Sequence, residues 1–72
     1  MTDITIYGTH HCPFCHEAEN YLRSKGLAEI RRVPVDTDMV AREEMTRRTG
    51  RRSVPQIFIG ETHVGGYDDL VR

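Results

Sequence analysis

Along residues 3–7, "DITIY", apolar side chains fall at every second position, the period of a strand with one face on a core. From Pro13 the spacing changes. Phe14, Ala18, Tyr21 and Leu22 recur at three- and four-residue steps, which predicts a helix opening at Pro13, where a residue without an N–H fits the first turn. The cation and glycine of "SKG" stop it at Gly26. "EIRRVPV", Glu29 to Val35, predicts a second strand, and Pro34 places it at a sheet edge. Asp36 to Asp38 offer N-caps for a helix running to about Thr49, with Gly50 as its stop. Gln56 to Ile59 and Thr62 to Val64 predict two more strands joined as a hairpin. "YDDLVR" then opens a last helix with carboxylates in its first turn.

The predicted order is β-α-β-α-β-β-α. A strand, helix, strand succession implies a parallel pair, and the closing hairpin adds antiparallel strands, so the expected fold class is α/β with a small mixed sheet. No repeat or linker interrupts the 72 residues, which are expected to form one domain over 1–72. A chain of this size buries a small core, and a bridge closing the short loop between its two cysteines would stabilise it little.

Charge excludes some functions. A net charge of −1 and a pI near 6.4 give no overall attraction to nucleic acid or an acidic membrane. Arg47 and Arg48 suit a solvated helix end, which leaves Arg51 and Arg52 open. No apolar run is long enough to span a bilayer and no leader is visible, so the expected compartment is the reducing cytoplasm.

In such a compartment the stretch "THHCPFCH", with both cysteines and three of the four histidines, reads as redox-active or metal-binding. It falls where the first strand turns into the first helix, the place at which α/β sheets set their chemistry. Free amide N–H groups and the helix dipole favour a thiolate at Cys12. Lowering a thiol from about 8.5 to about 5 raises its thiolate fraction at neutral pH roughly thirtyfold. The same change weakens its nucleophilicity by a similar factor, so the gain is as a leaving group, which suits rapid turnover of mixed disulfides. Cys15, one turn further in, is expected to be more buried, with a higher pKa, and suited to resolving a disulfide formed at Cys12.

"CPFC" after a first strand, "SVPQIFIG" downstream and then "GGYDDL" together resemble the bacterial dithiol glutaredoxins, of the glutaredoxin 3 type, over nearly the whole chain. The resemblance implies a thioredoxin-like fold with helices on both faces of a four-stranded sheet. It implies disulfide reduction with glutathione as co-substrate, acting on glutathionylated or disulfide-containing proteins as a monomer, without a resident metal. Cys12 would be the nucleophile and Cys15 the partner needed for protein disulfides. Pro55 would be cis and stand against Cys12, with Val54 presenting its backbone to the cysteinyl part of glutathione. Phe14 would border the groove. Tyr67, Asp68 and Asp69 would hold the γ-glutamyl end, and Arg52 the glycyl carboxylate. An anion suits a helix start, and glutathione carries two carboxylates and one ammonium, so the charges are of the right kind.

The chain departs from the family in places. Thr9 stands where many members carry a lysine, and Phe14 where many carry a tyrosine. The chain stops at Arg72, where relatives continue for about three more turns, so the last helix is expected to be short. His16, four residues past Cys12, falls on the same helix face as that sulfur.

Rival chemistries fit less of the chain. "CPFCH" matches a haem attachment motif, but haem explains neither "SVP" nor "GGYDD", and Met39 or Met45 would have to serve as distal ligand. Zinc would crowd its ligands onto Cys12, Cys15 and two of His10, His11 and His16. A glutathione-ligated [2Fe–2S] cluster between two chains is a further alternative, against which Pro13 counts. The last is a thioredoxin-like electron donor recycled by a reductase, against which "YDD" and Arg52 argue.

Overall fold

The computed structural model describes residues 3–27 and 29–72; Met1 and Thr2, part of the stretch on which the expectation about a leader rests, lie outside them. Its elements are β1 (Ile4–Gly8), α1 (Pro13–Ser24), β2 (Ile30–Pro34), α2 (Met39–Thr49), β3 (Gln56–Ile59), β4 (Thr62–Gly65) and α3 (Tyr67–Val71). The strands form one sheet in the order β2-β1-β3-β4, with β1 parallel to β2 and antiparallel to β3, and β3 antiparallel to β4. Pro34 thus sits on an edge strand, where its missing N–H leaves no gap inside the ladder.

Strand alternation divides the core in two. Ile4, Ile6 and Ile57 project to one face, where they pack with Ala18 and Leu22 of α1 and with Tyr67 and Leu70 of α3. Tyr7 and Phe58 project to the other, against Ala41 and Met45 of α2 and Val35. Helices therefore cover both faces. Fully burying a side chain such as Ile57 stabilises by about 1.5–3 kcal/mol, so the central strands anchor the fold.

Strand ends differ from the sequence reading by a residue. Gly8, read as the start of a turn, is the last residue of β1: it pairs with Pro34, and its carbonyl accepts the Val35 N–H at 2.9 Å. At the other end of the sheet, Ile57 pairs with Gly65 while Phe58 pairs with His63, so Val64 is an extra residue on β4. That bulge extends β4 to Gly65, whose φ of +118° favours glycine, and bends the chain toward α3.

Candidate active site

Cys12 is the N-cap of α1. Its extended backbone (φ −102°, ψ 106°) aims the side chain back at the first turn, where Sγ accepts the Cys15 N–H at 3.3 Å. Such a bond strengthens when the acceptor is charged. The Cys12 carbonyl takes the N–H groups of Cys15 at 3.1 Å and His16 at 3.4 Å. Pro13, at the first helical position, has no N–H to leave unpaired.

Both cysteines are free and both are buried, Cys12 at 8% exposure and Cys15 at 3%. What separates them is environment. The Cys15 thiol is pushed up to about 12, first by burial and then by its hydrogen bond with Cys12, while the Thr9 backbone N–H and the Arg32 charge act against the rise. Its sulfur lies against the end of β1, where a Cβ on Gly8 would come within 2.7 Å of it. The missing side chain at Gly8 makes that close approach possible.

Across from Cys12 runs the segment 51–56. The Val54–Pro55 peptide bond is cis, and the Cys12 thiol faces the Val54 carbonyl oxygen at 3.9 Å. Buried Gln56 holds this segment from beneath. Its Nε2 donates to the Ser53 carbonyl at 3.0 Å and to the Ser53 hydroxyl at 3.3 Å, while its Oε1 is 2.8 Å from His63 Nε2 on β4. Sequence reasoning saw Gln56 and His63 only as strand residues; the one available signal was a polar side chain at a core-facing period.

A groove of about 240 Å³ lies beside this segment. Phe14 and Tyr67 line it, their ring centroids 5.9 Å apart, along with Val54, Pro55, Asp68 and Asp69. Of the residues expected there, Arg52 is exposed and is not among those lining the groove; Arg51 is. The Arg51 Nη1 donates to Asp69 Oδ2 at 3.4 Å, and the same oxygen accepts the Gly66 N–H at 3.0 Å. These partners, Gly66 first and then Arg51, hold the Asp69 carboxyl below the usual carboxylate range. A Cβ on Gly65 would overlap this carboxylate, so the bulge glycine and the acidic helix start depend on each other.

The histidines scatter. His16 is exposed, and its backbone N–H reaches the Cys12 carbonyl. His10 turns to Asp36. Among the described residues no group of three or more His, Cys, Asp or Glu side chains is placed to hold a metal ion, and no helix is long and apolar enough to cross a membrane.

Two cysteines one helical turn apart beside a cis-proline, the second with its thiol pushed up by burial and its N–H on the sulfur of the first, are an arrangement for exchanging disulfides. Known proteins agree. A family model described as Glutaredoxin matches residues 4–64. Glutaredoxin 3 of Escherichia coli K12 is 47% identical over 70 residues, covering 97% of this chain and 83% of that protein. The solution structure of a glutaredoxin from Brucella melitensis superposes with a TM-score of 0.81 at 45% identity, over 99% of this chain and 76% of that one. A buckwheat glutaredoxin, in complex with glutathione, shares the fold at 24% identity with a TM-score of 0.82, over 94% of this chain and 64% of its own. The chain belongs to the glutaredoxin family of thiol–disulfide oxidoreductases.

Proposed function

We propose that this protein reduces glutathione mixed disulfides and protein disulfides with electrons drawn from glutathione. The Cys12 thiolate attacks one sulfur of the substrate disulfide, and the other sulfur leaves as a thiolate with the bonding electron pair. Cys12 is then held in a mixed disulfide. A second glutathione thiolate discharges it, giving glutathione disulfide and free Cys12. On protein disulfides, Cys15 attacks instead, the Cys12–Cys15 disulfide forms, and the substrate leaves as a dithiol. Two glutathione thiols in turn reduce that disulfide, one bonding to Cys12 as Cys15 leaves and the other releasing glutathione disulfide. The Cys15 N–H on the Cys12 sulfur helps each time Cys12 departs, because it stabilises the charge that then develops.

The observation that carries this reading is the Cys12 sulfur 3.9 Å from the carbonyl oxygen of Val54, a residue that lines the groove. There a tripeptide's cysteinyl part can pair with the Val54 backbone beside Pro55 while its sulfur reaches Cys12, much as an added strand pairs with an edge. Phe14 and Tyr67 border it. The γ-glutamyl end falls to Asp68 and Asp69 at the start of α3. The cation for a ligand carboxylate is Arg51, which lines the groove, rather than Arg52 outside it; an entering carboxylate competes with Asp69 for its guanidinium. Trapping tests this. Cys15→Ser incubated with glutathione disulfide should gain one glutathionyl group, located at Cys12 by mass spectrometry of peptides. A protein left unmodified under conditions that modify a small free thiol would contradict the reading.

A further inference from the structure

A thiol pushed up to about 12 is protonated at neutral pH, yet Cys15 must attack as a thiolate. The proton needs an acceptor. A second cavity, also about 240 Å³, opens beside Cys15 and shares no lining residue with the groove. Gly8, Thr9, His10, Cys15 and Arg32 are among its walls. His10 is fixed there at two points: its ring Nδ1 is 2.9 Å from Asp36 Oδ2, and its backbone N–H donates to the same oxygen at 3.1 Å. With Nδ1–H donating to Asp36, Nε2 is left as an acceptor. Among the described residues no carboxylate lines the cavity, and Glu19, which pairs with the lining Arg32 at 3.7 Å, is also held by Arg23 at 3.0 Å. Arg32 itself accepts no proton, and its charge favours a thiolate across the cavity.

We propose that His10, oriented by Asp36, takes the proton from Cys15 across this cavity as Cys15 becomes the resolving nucleophile. The space suffices for a water relay, at about 30 Å³ per molecule. The Cys15 S–H bond breaks and its proton passes to Nε2 of His10. The Cys15 sulfur bonds to the Cys12 sulfur, and the bond from Cys12 to the substrate sulfur breaks, its electron pair leaving with the substrate thiolate. The cysteine pair is oxidised to a disulfide by two electrons and the substrate is reduced. The imidazolium then returns its proton to solvent. Asp36 is a positioning residue in this scheme. The step rests on the reading of Cys12 as nucleophile and Cys15 as resolving thiol, and not on the identity of the disulfide.

A chromogenic aromatic disulfide separates the steps. Mixed at one equivalent with the reduced protein, it releases one coloured thiolate when Cys12 attacks and a second when Cys15 resolves. His10→Ala should slow the second release by about a hundredfold, the low end of what a positioned base contributes, and leave the first unchanged. Added imidazole should restore the second release in His10→Ala and not alter it in wild type; Asp36→Asn should slow it less than His10→Ala does. His10 is exposed, so its removal leaves the core intact. A second phase unchanged in His10→Ala, or slowed without rescue by imidazole, overturns the proposal alone. A wild-type protein that releases a single thiolate overturns the division of roles and this proposal with it.

Discussion

Replacing Gly8 by alanine should damage the protein through one atom. The added Cβ would lie 2.7 Å from the Cys15 sulfur and 3.3 Å from its Cβ. Packed heavy atoms prefer about 3.5–4.0 Å, so the overlap with sulfur is roughly 1 Å. Crowding of this kind in a packed site destabilises by about 1–3 kcal/mol. Against it stands about 0.4–1 kcal/mol from the lower entropy of an unfolded alanine. At mid-range the net loss is about 1.3 kcal/mol, which for a chain of this length lowers Tm by roughly 5–10 °C. Thermal melts of the reduced protein, followed by circular dichroism, would read it. Gly8→Ala should be far less harmful in a Cys15→Ala background, where the sulfur is gone. A coupling between the two sites within about 0.5 kcal/mol of zero would refute the close approach as the reason for glycine here.

Other outcomes follow from the same geometry. Arg51→Glu should raise the apparent KM for a glutathione mixed disulfide by a few-fold, as expected for an exposed pair of about 0.2–1 kcal/mol, and Arg52→Glu should raise it less; equal effects in steady-state kinetics would remove the distinction. The reduced protein should lose stability as pH rises from about 9 toward about 12, because the unfolded Cys15 thiol ionises first while the folded one keeps its proton. Melts of Cys15→Ser across that window should show a smaller loss, and an identical one would count against the buried thiol. Gln56→Leu should lower stability by about 1–3 kcal/mol, leaving Ser53 and His63 without their partner, and should raise KM while iodoacetamide still alkylates Cys12 at the wild-type rate. An unchanged KM would separate the buried amide from the groove.

The sequence told of some features for reasons the structure makes plain. α1 was legible from its period, since Ala18 and Leu22 do face the core. α2 was legible only from its ends. Asp38 accepts the Ala41 N–H at 3.0 Å and Gly50 takes φ +70°, but Met39 and Val40 are exposed and only Ala41 and Met45 are buried, so periodicity alone would have missed it. The cysteine pair and the proline segment were legible because each needs particular residue types at fixed spacing. Which of two adjacent arginines enters the groove was not, since one residue of backbone decides it. The Gln56–His63 and His10–Asp36 contacts join residues 7 and 26 positions apart, and no local pattern announces them.

The central claim is glutathione-dependent exchange through Cys12, with Cys15 needed only for protein disulfides. The most direct measurement is reduction of a glutathionylated peptide by glutathione, coupled to glutathione reductase, for wild type and both serine variants. Wild type and Cys15→Ser should turn over, Cys12→Ser should be inactive, and a protein disulfide should be reduced by wild type alone. Turnover by Cys12→Ser, or equal inactivity of both variants on the glutathionylated peptide, would contradict it.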